Sequence, residues 1–404
     1  MPSTRRSFLA SSTAAAASAL LAGCASLSGG GTPDDPPPSG DVSLGERDRH
    51  VYGATGDWSS FGANAANNRQ VADGRAPIDG VTEQWRAPFP QLSHQEPVVA
   101  DGTVYVATRD RLRALDAETG DERWSADGAD APPLVLDGVV YAARSRTLRA
   151  LNADSGEVVW AREFDGPGQV TSPSTYGGDQ LVCGVGERVL GLDPESGDEV
   201  WTQTVFGQVH HHAAFLSGYW AVVATDAGRV YLLDRDGVGS WQWQLPARPV
   251  APPAADAESV YVNCEDGNTY ALKDDSDGSE MGQRWSADTG WADGGVAVVD
   301  GLALVANGGT LEAVHTGSGS TAWSEATGDW RHTAPTAARD TVFVGGAALY
   351  AFDATPGGDP DGGPALRFEH SFAGRVGPGP VLDDGTLYTV AEVEEGETAL
   401  VALA

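Results

Sequence analysis

Histidine and carboxylate recur at one place in this chain. When the sequence is aligned on its repeated tryptophans, the position three residues before each Pro-like unit start reads His94, Asp130, Val170, His210, Val250, Asp293, His332 and Gly377. These are metal-ligand types, and His211 and His212 thicken the set. The three histidines fall in the first, fourth and seventh units, too widely spread for one ion. The expectation is therefore a polar, hydrated ring at a funnel mouth and no metal. Two residues upstream, four successive units carry Arg248, Trp291, Trp330 and Arg375, where the first four carry Leu92, Gly128, Gly168 and Gln208. Arg and Trp combine large contact area with directional bonding. The one-sided arc is expected to form a partner or ligand patch, the alternative being packing between linkers. No nucleophile elbow, phosphate-binding Gly loop or zincin helix is present, so no catalytic residue is assigned.

Cysteine chemistry is equally restricted. Cys183 and Cys264 lie in the strand-like runs LVCGVG and VYVNC, in non-adjacent units, and are expected to be buried small hydrophobes without a disulfide. Cys24 differs, because it follows Leu21-Ala22-Gly23. Small residues before a Cys suit a lipoprotein signal peptidase, and the thiol suits lipidation. Upstream, Arg5 and Arg6 precede an apolar run to Leu21, which resembles a twin-arginine export signal. Residues 1–23 are thus read as a signal peptide, 24–56 as a Gly/Pro/Asp-rich tether and 57–404 as the folded part. The expected location is extracytoplasmic, at the cell surface, lipid-anchored to the cytoplasmic membrane.

Charge excludes one class of partner. The chain holds 57 acidic and 25 basic residues, a net charge of −32, and Lys273 is its sole lysine. No basic stripe exists to release phosphate counterions, so nucleic-acid binding is not expected. Acid excess with almost no Lys resembles proteins of salt-loving microbes, haloarchaea among them, where a dense carboxylate surface keeps a protein hydrated.

The elements that must position these residues are short strands. ALDAETGDERW at 114–124 returns as ALNADSGEVVW at 150–160 and GLDPESGDEVW at 191–201, roughly forty residues apart each time. Units end at Trp124, Trp160, Trp201, Trp243, Trp285 and Trp323, with a degenerate one at Phe368. Each contains three β-rich runs before the motif, so the unit is a four-stranded antiparallel blade of a propeller. The motif is a hairpin. Asp116 and Asp193 accept hydrogen bonds from amides ahead of them, Gly120 and Gly197 supply the left-handed residue, and the Trp covers apolar area between blades. The last unit has three strands, and residues 81–86, VTEQWR, supply the missing fourth. Joining them closes an eight-bladed all-β ring of 324 residues, 81 to 404, and leaves no sheet edge open at the closure.

The motif A-x-D-x-x-[ST]-G-x-x-x-W resembles the repeat of the pyrroloquinoline-quinone-like (PQQ-like) propellers. The likeness includes the start Trp58-Ser59-Ser60-Phe61-Gly62 with Asn67 and Asn68. One branch holds quinoprotein dehydrogenases. The other is BamB-like: lipid-anchored scaffolds, which this chain resembles in size, blade number and lipobox. The resemblance implies a monomeric protein-binding scaffold rather than an enzyme, the alternatives being an oxidoreductase dependent on PQQ with Ca²⁺, or a sugar- or peptide-binding surface protein. The dehydrogenase branch has an adjacent Cys pair over its cofactor, which this sequence lacks.

Overall fold

The computed structural model describes residues 58–404 except 72–74, 93–94, 176, 275–280, 339 and 357–362. Arg5, Arg6, Cys24, His94, the signal segment and the tether lie outside the described residues. Eight four-stranded antiparallel blades surround one axis; seven have their strands in sequence order from the axis outward, and the eighth takes its outermost strand from the start of the folded region. Blade 1 shows the pattern: Val98–Ala100, Thr103–Ala107, Arg111–Asp116 and Glu122–Asp127. The inner strand of blade 1 is buried throughout, whereas the outer strand of blade 2, Val158–Glu163, alternates toward solvent. This is the expected eight-bladed propeller of four-stranded blades.

Closure joins both ends of the folded region. Glu83–Phe89 pairs antiparallel with the C-terminal strand Glu397–Leu403, and Thr82 and Ala404 exchange both backbone hydrogen bonds. The closing strand therefore begins two residues later and runs three residues further than 81–86. The extension Ala87-Pro88-Phe89 is held because Ala87 and Phe89 bury their side chains in the eighth blade's core.

Register explains the repeated letters. In blade 1, Tyr105, Ala114 and Trp124 form one cross-strand row, and the alanine between the rings lets them approach to 5.9 Å. The row recurs as Trp85–Tyr388, Tyr141–Trp160 and Tyr261–Trp285, each at 5.9 Å. One residue before the Trp, a β-bulge shifts the register, because Leu115 faces Glu122 while Ala114 faces Trp124. Each indole then reaches the next blade. Trp85 donates to the Ala117 carbonyl, Trp124 to Ala153, Trp160 to Pro194 and Trp285 to Thr316. Its ring lies on the glycine of that neighbour's turn, where Asp116 Oδ1 accepts from the Glu118 and Thr119 amides. A hydrogen bond from Arg123, then those amides, hold the Asp116 carboxyl down at about 2.

Blade 4 departs from the expected ending. Its turn is one residue shorter, and Trp241, not Trp243, pairs with Leu232 at the repeat position. Counting four residues on from Gly237 would have found it.

The lead-in segment Trp58–Val71 enters the ring's axis. Its backbone carbonyls accept from one amide of each of six inner strands: Trp58 from Val99, Ser59 from Val135, Ala65 from Phe215, Ala66 from Ala255, Asn68 from Val298 and Arg69 from Ala337. Gln70–Val71 continues as a short parallel strand on blade 7. Running across the strands requires sharp corners, and Gly62, Ala63, Asn67 and Arg69 all have positive φ. Asn67 Nδ2 donates to the Ala213 and Pro253 carbonyls, and Arg69 Nε donates to Pro335. Arg69 also pairs with Glu96 at 2.6 Å with both side chains buried, beneath the Trp58 and Phe61 rings. Removing one partner of such a pair typically costs about 3–5 kcal/mol.

The turn glycines provide a direct test of the interblade contact. Gly120 and Gly138 both have φ of +75°, but a Cβ at Gly120 would lie 2.6 Å from the Trp85 ring, while at Gly138 it meets nothing. Gly138→Ala is expected to cost about 1 kcal/mol, the left-handed strain alone. Gly120→Ala adds overpacking of about 1–3 kcal/mol. Equilibrium urea unfolding of the two variants measures the difference.

Candidate functional site

Linkers from each outer strand to the next inner strand gather at one end of the ring, with the loops between second and third strands. The predicted positions among the described residues lie here, and the structure links some of them. Between blades 5 and 6 the linker carries Trp291 and Asp293; between blades 6 and 7 it carries Trp330 and His332; Arg375 lies between blades 7 and 8. Asp293 Oδ2 meets His332 Nδ1 at 2.7 Å. The His332 ring stands edge-on to Trp330, with centroids 5.0 Å apart. Trp330 in turn carries the Arg375 guanidinium at 5.6 Å, and both Arg375 Nε and Nη2 donate to Asp329. Arg331 lies over Trp291 at 4.5 Å. Three linkers are thus fused into one Arg, Trp and His network. Glycine makes room for it, since a Cβ at Gly377 would lie 2.1 Å from Trp330 Nε1.

Other predicted residues stay apart from this network. Arg248, on the linker into blade 5, faces Glu265 on a loop of that same blade at 3.5 Å. His210 faces Asp226 at 3.4 Å, and Asp130 accepts from the Ser145 amide. The expected ring of His and Asp is therefore a set of local pairs that brace linkers against neighbouring loops. Among the described residues, no group of three His, Cys, Asp or Glu converges as a metal site. Sequence reasoning missed Arg331 and Asp329. The run Asp329-Trp330-Arg331-His332 was the available signal, because it sets four polar or aromatic side chains where the linker Gly128–Pro133 carries mostly Gly, Ala and Pro.

Electrostatics separates an exposed arc from a sealed axis. Arg331 and Arg375 are exposed, and Arg375 holds the Asp329 carboxyl below its usual range while its own pKa rises. On the axial side, His212 is buried and stacks on Phe61 at 4.7 Å and 9°. Burial pushes its pKa down to about 3, and His211 beside it falls to about 4. The cleft between Phe61, His212 and the linkers of blades 2 to 4 measures about 260 Å³ with its mouth. Cys183 and Cys264 are buried in separate blades, and burial raises each thiol to about 12. Both are core residues.

A neutral His212 has a pH consequence. Its folded pKa lies below the unfolded value of about 6.5, so the unfolded chain takes up the proton first and stability falls as pH drops below about 6.5. The slope is about 1.4 kcal/mol per pH unit until the folded value is approached. His212→Phe keeps a ring against Phe61 and removes this loss. Denaturation at pH 7 and pH 5 should show the variant losing about 2 kcal/mol less than the wild type over that interval.

Comparison with known proteins places this geometry. The sequence profile of the family described as outer membrane protein assembly factor BamB matches residues 77–211 and 185–281, which together span half of the chain. No curated protein matches the sequence. Among solved structures, BamB from Moraxella catarrhalis aligns with a TM-score of 0.62 at 15% identity, covering 80% of this chain and 97% of that one. The quinohemoprotein alcohol dehydrogenase of Comamonas testosteroni aligns with a TM-score of 0.68 at 16% identity, covering 87% and 81%. A computationally designed protein, Ika8, aligns with 0.59 at 15% identity, covering 79% and 99%. At these identities the structural likeness speaks for the fold alone. With its repeat, its blades and half of its length matched, the chain belongs to the PQQ-like repeat propellers of the BamB family.

Proposed function

We propose that this propeller is a monomeric binding scaffold, exported and anchored through a lipid on Cys24 to the outer side of the cytoplasmic membrane, that captures protein partners at its linker arc. The observation that carries the reading is Arg331. Its guanidinium is exposed and held 4.5 Å above Trp291, and it makes no ion pair among the described residues. On a chain of net charge −32, a fixed cation on an aromatic platform selects a partner that presents a carboxylate. Trp330 and Arg375 extend the platform. The BamB relative is by its description an assembly factor, which supports a role in holding other proteins.

A quinone-dependent oxidoreductase is the rival suggested by the dehydrogenase neighbours. The residues present do not fit a stacked quinone. The axis is filled by Trp58–Val71, the Trp291 and Trp330 faces carry Arg331 and Arg375, and Arg375 is engaged by Asp329. No catalytic step is derived through such a group.

Cross-linking on intact cells tests both halves of the proposal. Trp291→Ala with Trp330→Ala, and separately Arg331→Glu, should reduce the cross-linked partner at least tenfold while the purified variants melt cooperatively. Cys24→Ala should move the protein out of the membrane fraction. Undiminished capture overturns the arc, and membrane retention in high salt overturns the anchor.

A further inference from the structure

The opposite end of the ring carries a second surface, independent of the linker arc. There the turns between first and second strands meet the Asp-x-x-[ST]-Gly turns of the next blade. The bulge before each Trp pushes one extra residue outward at this end, and in blade 1 that residue is Arg123. It closes its notch by donating to Thr103 Oγ1 and Asp116 Oδ2. In blade 5 the same position is Arg284, whose Nε donates to the Gly317 carbonyl. Blade 2 has Val159 there, with Asn152 in place of the turn aspartate. Valine can make neither bond, and although Arg162 Nη1 reaches the Gly197 carbonyl from farther along the strand, the notch beside Val159 stays open.

What remains is an apolar groove of about 780 Å³ with its mouth, floored by Leu136, Tyr141 and Trp160 and walled by Val159. Val158 and Val159 are 57% and 58% exposed, on an outermost strand that pairs on one side only. The floor is rigid, because Tyr141 Oη and Trp160 Nε1 both donate to the Pro194 carbonyl. Asp137 and Glu195 stand at the rim. With Asp193 they raise the Tyr141 phenol to about 12, behind the larger effect of burial. A greasy slot with an acidic rim beside an open strand edge has one complementary occupant. We infer that the blade 2 groove docks an extended segment of a partner protein, an apolar side chain in the slot and Lys or Arg on either side of it.

The repeat itself supplies the test. Val159→Arg installs the residue that closes blade 1, at an exposed bulge where folding is not at risk. Thr321→Arg, on the exposed outer strand of blade 6, makes the same charge change elsewhere. Fluorescence anisotropy of the full chain with a labelled Lys-Val-Lys-Val-Lys peptide should show saturable binding, weakened at least tenfold by Val159→Arg and unchanged by Thr321→Arg. Asp137→Asn with Glu195→Gln should weaken it and flatten its salt dependence. A Lys-Gly-Lys-Gly-Lys peptide that binds equally well, indifference to Val159→Arg, or absence of binding overturns the proposal. So does a wild-type dimer that Val159→Arg dissolves, which would assign the groove to a second copy of the chain.

Discussion

Eight sheets around one axis leave eight inner strands bonded on one side only, with their other edge turned inward where the residues are buried. A buried amide without an acceptor costs about 1–3 kcal/mol. The coil Trp58–Val71 answers this constraint for six blades at once, giving one carbonyl to each. It can do so only by crossing the strands, which is why its backbone turns through positive φ at Ala63, Asn67 and Arg69 as well as at Gly62. The buried Arg69–Glu96 pair then fixes the coil to the blade 1 linker, with Arg69 also reaching blade 7 through Pro335. Ring closure by Glu83–Phe89 fixes the perimeter, and the coil fixes the centre.

That arrangement also decides where binding can occur. With the axis occupied by the chain's own side chains, the two surfaces that depart from the repeat lie at its ends, in linkers on one side and in an interblade notch on the other. Both use positions that are structural elsewhere. The bulged residue before the Trp is an arginine lid in blade 1 and an exposed valine in blade 2. The linker position that is glycine in blades 2 and 3 is a Trp carrying an arginine farther round. Specialisation of a repeat by replacing its lids and fillers leaves the register untouched, since the Tyr, Ala and Trp row does not involve those side chains and the turn amides are held by Asp116 Oδ1, not by the oxygen that Arg123 engages.

The legible parts of the fold were those that recur. Asp116, Gly120 and Trp124 perform one job several times over, so their spacing exposed the hairpin, the blade and the ring. Trp243 misled because two tryptophans, Trp241 and Trp243, both fall at about the repeat spacing from Trp201, and only the short turn at Gly237 decides between them. The axial coil was not legible in its role: its carbonyls make one long-range hydrogen bond to each of six blades, which imposes no periodicity on residues 58–71. The arc was half legible. Trp291, Trp330 and Arg375 stand out by alignment, but Arg331 and Asp329 join them only through stacking and pairing across linkers, which column-by-column comparison cannot register. Arg248 shares the column and not the neighbourhood.

Native-state hydrogen exchange on the amides of Val99, Val135, Phe215, Ala255, Val298 and Ala337 tests the central claim most directly. If the coil is the common acceptor at the axis, all six exchange only through openings as costly as those of the blade interiors, and Arg69→Ala accelerates all six together. Rapid exchange of these amides beside protected blade interiors, or acceleration confined to Ala337, would contradict it.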